Sequence, residues 1–147
     1  MTKVDLDIPR PPDQVFAALA DGWSYAGWVV GATHIRDVDH GWPEVGTRIH
    51  HSVGAWPFQL EDQTVVRSVE PGRSLELHAK AWPMGTALIR FDLVPSASGG
   101  TRVTMTEKAA TGPGSLLPEA VQTVLLAPRN RETLKRLADL VVRGDQR

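Results

Sequence analysis

The chain has 147 residues, 41% of them apolar and 22% charged, with a formal net charge of −1 and no cysteine. That length and make-up suit one globular unit spanning 1–147. They offer no field to hold nucleic acid, and they exclude disulfides, thiolate metal sites and cysteine nucleophiles. With no secretory h-region and no run of about 18–20 apolar residues, a cytoplasmic location without an integral membrane segment is expected.

Val4, Leu6 and Ile8 alternate with Asp5 and Asp7, a period-2 strand with one buried face. Pro9, Pro11 and Pro12 end it, and proline with Asp13 suits the first turn of a helix. Val15, Phe16, Leu19 and Ala20 form its apolar stripe, and Gly22 closes it. A second short helical piece is expected over Ser24–Val30.

From Thr33 to Ala110 the pattern is strands and turns. Strands are expected at His34–Asp39, Arg48–Gly54 and Phe58–Val69. Two more hold the alternating sets Leu75, Leu77, Ala79, Ala81 and Ala87, Ile89, Phe91, Leu93. The last holds Val103, Met105 and Glu107. The turns are HGWPEVG, EPGR and SASGG. Strands joined by short turns form an antiparallel meander.

TGPG at 111–114 breaks the pattern, and Ser115 to about Val142 reads as a long helix. Pro128 predicts a kink or break near Leu125–Pro128. The basic run Arg129–Arg136, interrupted by Glu132, reads as a solvated face. Only this helix is long enough to cover the apolar face of the sheet.

Three segments carry a family resemblance: PPDQVFAALADGWSYAGWVVGATHIRDVD, VVRSVEPGRSLELHAKAWPMGTALIRFDLVPSASGGTRVTMTEKA and RNRETLKRLADLV. In this order the chain resembles the START-like, Bet v 1-like (SRPBCC) superfamily, in its polyketide cyclase/dehydrase and lipid-transport branch. The resemblance implies an α+β helix-grip fold. In it a curved antiparallel sheet of about seven strands wraps a long C-terminal helix, with two short helices after the first strand. It also implies a hydrophobic cavity, but no single activity, because one fold hosts many functions.

Two residues are candidates for acid–base work. Glu107 shares the inward parity of Val103 and Met105, where an apolar surrounding resists its ionisation. His51 shares a face with Ile49 and Val53 and can exchange a proton near neutral pH. Each has a plainer role as a partner for structural hydrogen bonds. His50 points the opposite way, so the pair is a poor metal site. No ligand spacing such as HExxH occurs, and neither a metal nor a cofactor is expected. Asp62, Arg36 and Arg90 are further rim candidates, with a bulge near Asp62 deciding its direction. No nucleophile elbow or phosphate loop is present.

Trp28 matches the Trp that follows the first helix in the family. Trp56, Phe58, Trp82, Phe91 and Met105, with Val121, Val124 and Leu125 from the helix, complete the expected lining. Small Ala79 and Ala81 would leave room for a ligand. The expected partner is a small hydrophobic molecule such as a lipid or polyketide, held by a monomer or weak homodimer acting as carrier or sensor. Two alternatives compete: a cyclase/dehydratase using Glu107 or His51, and a co-chaperone-like interaction module.

Overall fold

The computed structural model describes residues 1–29, 32–53, 60–81 and 85–144. The elements run β1 (Thr2–Ile8), α1 (Pro12–Leu19), a 3-10 turn (Gly22–Ser24), α2 (Tyr25–Trp28), β2 (Ala32–Val38), β3 (Arg48–Val53) and β4 (Leu60–Glu70). They continue with β5 (Ser74–Ala81), β6 (Gly85–Pro95), β7 (Thr101–Thr111), a 3-10 turn (Pro113–Leu116) and α3 (Glu119–Gly144). The sheet has seven strands in the order β1-β7-β6-β5-β4-β3-β2, every pair antiparallel. Thus β2–β7 form a meander and β1 closes the far edge against β7.

The alternation of each strand decides its two faces. Val103, Met105 and Glu107 on β7 are buried, and so are Leu75 and Leu77 on β5 and Ile89, Phe91 and Leu93 on β6. On β4 the inner set is Thr64 and Val66, and a register shift follows between Val66 and Ser68. That bulge, which lies beyond Asp62 on the strand, explains the change of apolar phase toward Val69. Asp62 keeps the parity of Thr64 and sits opposite His51 of β3.

The long helix starts later than its periodicity suggests. Leu117 is extended (φ −71°, ψ 142°) because it precedes Pro118. Pro113–Leu116 therefore forms a turn of its own, and α3 begins at Glu119. Of the kink or break expected near Leu125–Pro128, the break does not occur: the helix runs through Pro128. Pro128 leaves the Val124 carbonyl without its donor. Both residues lie on the exposed side, where water can satisfy that carbonyl.

Ala127, Asn130, Leu134, Leu137 and Val141 form the buried stripe of α3. It meets β1 and the two short helices over one core with Val15, Leu19, Trp28 and Phe91. The first turns differ: Val121, Val124 and Leu125 are 42%, 73% and 60% exposed. The C-terminal two-thirds of α3 is thus gripped, while its N-terminal third stands over the open end of the sheet.

Candidate ligand-binding site

Glu107 is inward on β7 and only 4% exposed. Arg129, on the first turn after Pro128, donates from one guanidinium nitrogen to both carboxylate oxygens, at 2.6 and 2.8 Å. Asn130, fully buried in the α3 stripe, donates to Oε1 at 3.0 Å. Three hydrogen bonds to the carboxylate, two of them from the Arg129 cation, clamp the helix to the sheet at this point. Arg129 therefore does not belong to a uniformly solvated basic face, since its head group folds inward onto Glu107.

A second polar group lies across the sheet. His51 on β3 is 4% exposed, and its Nε2 lies 2.9 Å from Oγ1 of Thr64, which is itself fully buried. The Tyr25 ring stacks on the His51 ring, with centroids 5.9 Å apart. Nδ1 of His51 is buried and has no hydrogen-bond partner among the described residues. Burial pushes the His51 ring below its ordinary value by disfavouring the cation. The opposite charge of Asp62 works against this, while Arg36 and His50 reinforce it. Burial likewise raises the Tyr25 phenol, with Thr64 working against it, the charge of Glu107 adding to it and that of Arg129 opposing it.

Between them the inner face is lined by small side chains. The register runs Ile49, Thr64, Ala79, Ala87, Ala109 across β3 to β7. The adjacent row is Val66, Leu77, Ile89, Glu107, Thr2, all buried. Ala87 and Ala109, small where large residues would fill the space, border a hollow. This pocket, of about 170 Å3, has Ala87, Ala109, Leu125, Leu126, Glu107 and Arg129 in its walls. Gly85 at the pocket edge has φ +105°, and a Cβ there would strike the Thr111 carbonyl, so only glycine fits.

The sequence candidates separate into groups. Glu107 and Leu125 line this pocket. Trp28, Phe91 and Met105 are in the core, with Trp28 edge-to-face against both Tyr25 and Phe91 at 5.3 and 5.8 Å. His51 stands in the second polar group. Val121 and Val124 face outward beside the pocket mouth. Trp56, Phe58 and Trp82 lie outside the described residues. Of the rim candidates, Arg90 lies outside, bridging Asp92 and Glu76. Sequence reasoning missed Arg129, Asn130, Tyr25 and Thr64. A polar Asn130 at a buried-stripe position of α3 was the available signal.

The family model described as polyketide cyclase / dehydrase and lipid transport matches residues 1–142. The chain belongs to this family. Within the family's fold, similar solved structures include Ara h 8.0201, with 14% identity, a TM-score of 0.70 and 95% of each chain covered. Protein NE0264 from Nitrosomonas europaea is 18% identical with a TM-score of 0.73, covering 99% of this chain and 96% of its own. The Zhui aromatase/cyclase from Streptomyces sp. R1128 is 16% identical with a TM-score of 0.68, covering 97% and 93%. A search of curated proteins finds no match. For the polyketide cyclase / dehydrase and lipid transport family member described here, these likenesses establish the helix-grip fold. Among the described residues no helix is long and apolar enough to cross a membrane.

Proposed function

We propose that this family member binds a small hydrophobic molecule between the sheet and α3, as a carrier or sensor. The observation that carries this reading is the pocket over Ala87 and Ala109. Its walls are mainly apolar, and Glu107 and Arg129 supply charged groups. Apolar walls with a few fixed polar groups are the usual make-up of a small-molecule site. A volume of about 170 Å3 compares with the roughly 150 Å3 cavity that takes a benzene ring.

A cyclase or dehydratase is the second reading. The buried His51, bonded to Thr64 and stacked on Tyr25, favours it, because its Nδ1 has no hydrogen-bond partner among the described residues. The carrier comes first because Glu107, the other acid–base candidate, already accepts three hydrogen bonds. Taking up a proton would weaken the ion pair of Glu107 with Arg129.

Native mass spectrometry of protein purified from its own host, followed by organic extraction, tests the two readings. A stoichiometric apolar adduct recovered unchanged supports the carrier. A cyclised or dehydrated product supports the enzyme. The absence of any adduct, together with no Trp quenching by fatty acids, sterols or aromatic polyketides, contradicts both and leaves an interaction module.

A further inference from the structure

The two charged side chains in the pocket wall, Glu107 and Arg129, are paired with each other. Both carboxylate oxygens of Glu107 accept from Nη2 of Arg129, and Oε1 accepts from Asn130 as well. Nε of Arg129 lies 3.4 Å from Oδ1 of Asn130. That leaves Nη1 without a partner among the described residues, on a side chain that lines the pocket and is 40% exposed. Other polar side chains of the wall are engaged. Gln122 donates to the Leu117 carbonyl at 2.8 Å, and the Thr86 hydroxyl is bonded to that of Thr111 at 2.6 Å. Nη1 is thus the charged donor that remains to a ligand, in a wall whose two charges already cancel.

Size sets a second limit. The pocket's volume of about 170 Å3 is close to the roughly 150 Å3 that holds a benzene ring. It is well under the roughly 300–1,000 Å3 of sites that enclose a drug-sized molecule. The pocket therefore admits one ring with a short substituent. Leu125, in the wall yet 60% exposed, marks the side on which a longer molecule would emerge.

We infer that the pocket selects a neutral ring bearing an oxygen acceptor, a ketone or a phenol, and discriminates against a carboxylate, with the Glu107–Arg129 pair as the selecting device. This rests on the binding reading above and adds the ligand's charge to it. Arg129 can only donate, so the ligand atom that meets Nη1 is an acceptor. A ketone or phenol oxygen meets it without disturbing the balance of charge. A carboxylate sets a second negative charge beside Glu107 with one guanidinium between the two, and burying an unmatched charge is costly. An ammonium fares no better, because it meets the Arg129 charge while both Glu107 oxygens are taken.

The test compares acetophenone with benzoate, two probes of nearly equal shape that differ in charge, by calorimetric titration at neutral pH. Wild type is expected to hold acetophenone about tenfold tighter than benzoate. Glu107→Gln releases the Arg129 charge, so benzoate should bind this variant about tenfold tighter than it binds wild type. Ala87→Leu, which fills the pocket, should abolish binding of both probes. Thermal melts confirm that each variant folds. Ala109→Leu replaces Ala87→Leu if the latter does not, and benzamide against benzoate in wild type replaces the Glu107→Gln arm on the same ground. Equal affinity of wild type for the neutral and charged probes, or no gain by benzoate in folded Glu107→Gln, overturns the charge selection. With Ala87→Leu still blocking both probes, either result leaves the binding reading intact. No binding of either probe to wild type also overturns the selection, and the binding reading falls with it if fatty acids, sterols and aromatic polyketides fail to quench Trp fluorescence. Undiminished binding to Ala87→Leu places the probes elsewhere and overturns both.

Discussion

Nη2 of Arg129 on α3 lies 2.6 and 2.8 Å from the two carboxylate oxygens of Glu107 on β7. The partners are unequally placed: the Glu107 side chain is 6% exposed and that of Arg129 is 40% exposed. Losing the pair therefore strands the acid but not the base.

From this inequality, Arg129→Leu should destabilise by about 2–3 kcal/mol, since it leaves a buried carboxylate with Asn130 alone. Glu107→Gln should destabilise by about 1 kcal/mol, because a freed Arg129 can reach water. Urea unfolding of both variants and the double variant checks this. Glu107→Gln combined with Arg129→Leu should recover part of the loss seen in Arg129→Leu alone.

Tyr25 is the single tyrosine of the chain, so its titration can be followed without interference. Burial raises it above its ordinary value of 10.0. Phenolate absorbance in the folded protein should appear only above that pH. The unfolded chain would ionise first, so stability should be retained below about pH 10 and fall as pH rises further. Phenolate absorbance at the ordinary value would show that Tyr25 is not buried against Thr64.

His51 works in the opposite direction. Its folded value is depressed below 6.5, mainly by burial. The unfolded chain takes up the proton first as pH falls, so the stability that neutral His51 contributes is present above about pH 6.5 and lost below it. Urea midpoints for wild type should fall between about pH 7 and about pH 5.5, and His51→Gln should show a shallower fall. Equal slopes would contradict the placement of a neutral ring against Thr64 and Tyr25.

The two parts of α3 should respond differently to truncation. Leu137 is fully buried, so Leu137→Ala should cost about 2–5 kcal/mol. Val124 is 73% exposed, so Val124→Ala should change stability by less than about 0.5 kcal/mol. Thermal unfolding of both variants distinguishes a gripped helix end from one that stands clear.

The strands, their order and the inward turn of Glu107 were legible because side-chain parity in a strand is a local property. The partners of Glu107 were not. Arg129 is 22 residues away, on another element. Which face of α3 meets the sheet depends on packing, and a basic run on a helix ordinarily faces water. The rotation of α3 also explains Val121 and Val124, whose apolar character suggested lining and whose side chains face solvent. Proline acted in two ways. Pro118 set the start of α3 through the restriction on Leu117, while Pro128 was absorbed on the solvent side. The alanine row emerged only from the register, which brings Ala79, Ala87 and Ala109 into line.

The most direct measurement follows alanine methyl resonances, with carbon-labelled alanine, as the best quencher among the fatty acids, sterols and aromatic polyketides is added. Ligand binding in the pocket predicts saturable shifts at Ala87 and Ala109, with Ala127, buried in the α3 stripe, unmoved. Saturable binding that leaves those two methyls in place would contradict the site, and shifts at Ala127 alone would put the ligand elsewhere under the helix.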